Sequence, residues 1–111
     1  MGVVTPFPAA PLQIGFDRFE LGRILDLYGR MVIAGHWRDY AIDLGREAAI
    51  FSAFRRAAEH PEIRIEKRPA LRARQGMWAL VGEAGAILKR GHELSSVLAP
   101  LERRLVKLVS Q

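Results

Sequence analysis

An α+β fold, with one helix on each side of a five-stranded antiparallel meander, is the class this sequence predicts. Three observations carry it. Helical periodicity is confined to the two flanks, residues 16–35 and 92–109; the stretch between reads in short alternating runs; and glycine or proline breaks punctuate those runs at hairpin spacing. At 111 residues the chain fits one domain, able to bury roughly 60 to 68% of its unfolded surface. Residues 16–111 are assigned to that domain, and residues 1–15 to a disordered proline-rich arm.

The first helix has matched start signals. Asp17 is placed as N-cap, Glu20 three residues later as its capping-box partner, and Phe16 with Leu21 as a hydrophobic staple. Leu21, Ile24, Leu25, Tyr28, Met31 and Val32 follow at helical spacing, and Gly35 ends the element.

From Trp37 to Leu44, Tyr40, Ile42 and Leu44 alternate with Asp39, Ala41 and Asp43, the pattern of a strand with one half-buried face. Gly45, Arg46 and Glu47 fit a hairpin turn. Residues 48–57 are ambiguous, since alanines favour helix while the Ile50, Phe51 and Phe54 cluster fits sheet; strand is the choice made. Ile63 and Ile65 alternate with Glu62, Arg64 and Glu66 in a third strand that Pro69 stops. Met77 to Val81 and Ala86 to Arg90 flank a turn at Gly82-Glu-Ala-Gly85.

The final helix sets Leu94, Val97, Leu98, Leu101, Leu105, Leu108 and Val109 on one face, with Arg103, Arg104 and Lys107 on the other. Pro100 removes a backbone donor and crowds the preceding turn, so a kink there, or a break into two short helices, is expected. Both helices are expected to cover the same face of the sheet.

Composition excludes several functions. The chain has no cysteine, which removes disulfides, thiolate metal sites and cysteine nucleophiles, and fits a reducing cytosol. The start carries three prolines and no basic region, so it is read as neither signal peptide nor membrane span. His36, His60 and His92 each stand alone near a turn, without metal spacing. Asp39 and Asp43 would lie about 13 Å apart along a strand, beyond the roughly 5 to 9 Å of a glycosidase pair. The serines lack a nucleophile elbow, and Gly82 to Lys89 lacks the Gly-Lys-Ser/Thr ending of a phosphate loop. No cofactor fingerprint is present, and an enzyme is the least supported class.

Charge is the positive signal. Arginine outnumbers lysine fourteen to three and the net charge is +5. A GC-rich genome would also favour arginine, but the excess is local: residues 62–92 hold seven Lys/Arg against three acids, whereas residues 1–61 hold seven of each. The candidate anion-binding residues are Arg64, Arg68, Arg72 and Arg74 in and after the third strand, and Lys89, Arg90 and His92 where the last strand hands over to a helix N-terminus. The competing explanation is a solvated edge strand that uses charge against aggregation, with Glu62 and Glu66 partly neutralising it. No aromatic residue interleaves the run, so base-specific readout has no support.

The runs from Leu27 to Asp43, Ile50-Phe51, Phe54 to Arg56, Arg64 to Pro69, Gln75-Gly76 and Ile87 to His92 resemble a family of small uncharacterised alphaproteobacterial proteins, a domain of unknown function. The resemblance spans about residues 16–106. It implies a bacterial cytoplasmic single-domain protein and supports sheet for residues 48–57, but brings no activity or cofactor. The expectation is a non-catalytic binding or regulatory module meeting nucleic acid or an acidic protein through its basic surface. The alternative is a homo-oligomeric structural or scaffold protein.

Overall fold

A computed structural model of the chain describes residues 13–56 and 60–110. Most of the proline-rich arm, residues 1–12, and the end of the ambiguous segment, residue 57, lie outside the described residues. Helix α1 (Arg18–Ile33) is followed by strands β1 (Asp39–Leu44), β2 (Ala49–Phe54), β3 (Ile63–Lys67), β4 (Trp78–Gly82) and β5 (Ile87–Gly91), then by helix α2 (Leu94–Val109). All neighbours pair antiparallel in the order β1-β2-β3-β4-β5, a meander in an α+β fold. Residues 49–54 are strand. Their alanines do not decide the matter because β2 is an interior strand, paired on both sides, and small side chains at Ala49 and Ala53 fit beneath a packed layer. No helix among the described residues is long and apolar enough to cross a membrane.

The capping box forms: Glu20 N–H donates to Asp17 Oδ1 at 2.8 Å, and Asp17 N–H to Glu20 Oε1 at 2.9 Å. Phe16 packs against the core, stacked on Trp78 with ring centroids 6.1 Å apart. The buried stripe of α1 is Ile24, Leu27 and Met31, spaced by three and four residues, while Val32 is left exposed. Gly35 takes φ +80 just past the helix, turning the chain toward β1. Helix α2 runs unbroken through Pro100, so the two-helix alternative is overturned. Its last turn projects past the core: Leu108 and Val109, expected inside, are exposed.

Register explains the core. Ile42, Phe51, Ile65 and Leu80 stand side by side across four strands and therefore share a face. On that face they join Ile24, Leu27 and Met31 of α1, and Val97, Leu98, Leu101 and Leu105 of α2. Both helices cover it. Tyr28 brackets the β1 side, edge-on to Tyr40 at 4.9 Å and to Phe51 at 6.0 Å. Burial pushes the Tyr28 hydroxyl pKa up, with the Asp39 charge and Tyr40 adding to it.

Both helices also run from the same end of the sheet to the other. At the start of α1, Ile14 N–H donates to Gly45 O at 2.7 Å, in the β1–β2 hairpin. Lys67 Nζ, at the end of β3, donates to Gly15 O at 2.9 Å and Glu20 Oε1 at 2.6 Å. Helix α2 begins beside Gly91 at this same end, and its Arg104 reaches Glu62 at the other. The molecule thus has a hairpin end, where both helix N-termini lie, and an opposite end, where β2 leaves and β3 enters.

Candidate functional site: a basic sheet end and a polar cleft

The hairpin end gathers Arg46, Arg68, Arg72, Arg74 and Arg90. After β3 the chain makes one short 3₁₀ turn, Pro69–Leu71, in which Pro69 supplies the fixed φ and the Leu71 carbonyl accepts from the N–H groups of Gln75 and Gly76. Gly76 then lies flat against the end of β5. A Cβ there would meet Gly91 O at 2.4 Å, and its φ of +99 also selects glycine. Arg90 Nη1 donates to Gly76 O at 3.2 Å, closing the connection from the other side.

Of the seven residues the sequence singles out, Arg68, Arg72, Arg74, Arg90 and His92 are brought to this end. Two are not. Arg64 stands opposite Val81, toward the far end of β3, and Lys89 opposite Leu80 points from the other face of edge strand β5. The expectation of seven converging cations is corrected to that extent, because β-strand side chains alternate and Lys89 and Arg90 must diverge. Arg64 and Arg68 both flank the buried Glu66, with Nε at 3.5 Å and 3.1 Å from its two oxygens. Together those three residues leave one net positive charge. Arg72, Arg74 and His92 are exposed, and Arg72 Nη2 is 3.8 Å from Met77 Sδ. Among the described residues no carboxylate bridges Arg72, Arg74 or Arg90. Arg46 of the β1–β2 hairpin shares a surface depression with Arg68 and Pro69, an addition the sequence alone did not indicate. The N-terminus of α2 opens at this end, and Glu93, its N-cap, makes no side-chain capping bond.

The opposite end holds a polar cleft of ≈ 400 Å³. His36 from beyond α1, Arg55 and Arg56 after β2, His60 and Glu62 before β3, and Glu83 of the β4–β5 turn line it. Its deepest group is Glu62, whose side chain is only 12% exposed. Trp37 Nε1–H donates to Glu62 Oε1 at 2.5 Å, Arg104 Nη2 donates to Glu62 Oε2 at 2.5 Å, and Arg55 Nε lies 3.8 Å from Oε2. His36 Nε2 sits against Arg104 Nη2 and lies 3.3 Å from Glu62 Oε2. Burial, then the Arg104 charge, lowers the His36 pKa against the opposing pull of the Glu62 carboxylate. Burial alone would raise the Glu62 carboxyl; the hydrogen bonds from Trp37 and Arg104, with the Arg104 and His36 charges, outweigh it and hold the carboxyl below the usual range.

Sequence reasoning missed this cluster. It treats His36 and His60 as isolated turn residues, Glu62 as a partial neutraliser of its own strand, and Arg104 as part of the solvent face of α2. One signal was present: a buried tryptophan needs an acceptor for its indole N–H, and for Trp37 that acceptor is Glu62. Among the described residues no group of three or more His, Asp or Glu is arranged to hold a metal ion.

A family model described as "Protein of unknown function (DUF2794)" matches residues 14–98. The chain belongs to this family. The matched range takes in α1, the whole sheet and the start of α2, and so both Gly76 with its arginines and the Trp37–Glu62 pair of the DUF2794 domain. No curated protein and no solved structure matches the chain.

Proposed function

We propose that this domain is a non-catalytic binding module whose hairpin end engages the phosphate backbone of nucleic acid. One observation supports the reading: the β3–β4 connection, which carries Arg72 and Arg74, packs through Gly76 onto the end of β5, where Arg90 bonds Gly76 O, at the same end of the sheet as His92 and the N-terminus of α2. Guanidinium forks and helix N–H groups are the donors that phosphate oxygens use, and they carry no base information. Binding is therefore sequence-tolerant and salt-dependent. Each phosphate neutralised releases counterions, so affinity falls by about one power of salt concentration per contact. Filter binding to RNA and DNA across a salt series tests this; weak, flat binding at low salt removes the nucleic-acid partner and leaves an acidic protein surface.

A second reading, self-association as a scaffold, is favoured by the unpaired edge of β5, where Ile87 and Leu88 are 53% and 59% exposed. Sedimentation of dilute protein decides it, and a strict monomer sinks it.

A further inference from the structure

We propose that the polar cleft at the opposite end of the sheet is a second, separate site, binding the phosphate group of a small phosphorylated molecule. The fold accounts for the inner half of this cluster without a ligand: Glu62 satisfies Trp37 and ties α2 to the sheet through Arg104. It does not account for the outer half. Arg55 and Arg56 are exposed at the end of β2, as is His60 before β3, yet all three turn to the same cavity.

The inner half prepares the outer. Glu62 is fixed by Trp37 and Arg104 from two other parts of the chain, and its charge draws the exposed Arg55 guanidinium to 3.8 Å from Oε2, on the rim of the cleft. Among the described residues two arginine forks and an imidazole face two carboxylates, of which Glu62 is already engaged by Trp37 and Arg104; a phosphate, with three terminal oxygens, matches the donors left over. Glu83, from the β4–β5 turn, would repel a bare anion placed next to it but accepts hydrogen bonds from hydroxyl groups. A cavity of ≈ 400 Å³ has room for both parts of such a molecule. The ligand class is therefore a hydroxylated phosphomonoester, with phosphate toward Arg55 and Arg56 and its hydroxyl body toward Glu83.

The two tryptophans report the two ends separately. Trp37 donates to Glu62 in the cleft, whereas Trp78 pairs with Gly91 beside the arginine-rich connection. In ¹H–¹⁵N spectra of the whole chain, ribose 5-phosphate is expected to shift the Trp37 indole signal saturably, with Kd about 1 mM or tighter. The Trp78 indole signal stays in place. Arg56→Ala, and separately Arg55→Ala, should each weaken binding about tenfold, and in Arg56→Ala the Trp37 signal keeps its native position before ligand is added. Inorganic phosphate, lacking hydroxyls for Glu83, binds more weakly. The proposal is overturned by the absence of a saturable shift, by an equal shift with sodium chloride at matched ionic strength, or by unchanged affinity in both variants. Equal affinity for inorganic phosphate overturns the phosphomonoester and makes the free dianion the ligand. None of these outcomes depends on nucleic-acid binding at the hairpin end.

Discussion

Glu62 places one negative charge among groups from four parts of the chain: it accepts hydrogen bonds from Trp37 and Arg104 and lies within ion-pair distance of His36 and Arg55. Removing it strands a buried indole N–H and leaves Arg104 facing His36 without an anion. Glu62→Ala should cost about 2 to 4 kcal/mol in urea unfolding, and Glu62→Gln, which keeps an acceptor for Trp37, about half as much. Equal stability of both variants and the parent would contradict the cluster's role. His36 adds a pH signature. Its folded pKa lies below the ordinary 6.5, so between the two values the unfolded chain binds more protons and stability falls as pH drops. His36→Gln should flatten the stability profile just below pH 6.5. Glu62, also lowered, contributes a further loss as pH falls below its ordinary 4.5, and that loss should survive in the His36 variant.

At the scale of elements, Gly76 is the joint that seats the arginine-bearing connection on β5. Alanine there meets a backbone carbonyl as well as an unfavourable φ, so Gly76→Ala should cost about 1 to 3 kcal/mol and displace the Trp78 indole signal. Loss of stability under about 0.5 kcal/mol would mean the connection is not pinned there. Such joints are where sequence reading ran out. The capping box, the strand alternation and the hairpin glycine were legible because each rests on residues a few positions apart. The close approach of Gly76 to Gly91 depends on a register fixed by the whole meander, and the Trp37–Glu62 bond joins residues 25 apart. Leu27 shows a subtler limit: it belongs to the α1 stripe by spacing, yet the stripe's centre was set by where β2 and α2 lay. Pro100 fitted inside one helix because the packed apolar face of α2, with Val97, Leu98 and Leu101 buried around it, outweighs one missing N–H.

Over the whole molecule, charge divides between two ends. Arg72 and Arg74 share the hairpin end with Arg90 because β3, β4 and β5 are successive antiparallel neighbours, while Glu66 and Glu20 hold Arg64, Arg68 and Lys67 in internal pairs. What remains for a polyanion is Arg72, Arg74 and Arg90, so affinity for nucleic acid should be modest and the salt slope shallow, about three phosphate contacts' worth. The most direct measurement is the affinity of a fluorescent single-stranded oligonucleotide for the parent and for an Arg72→Glu, Arg74→Glu variant, each across a salt series. The account predicts a log–log slope near −2 for the parent, and for the variant a loss of at least about tenfold with a flatter slope and an unchanged thermal transition. Equal binding by both proteins would contradict it.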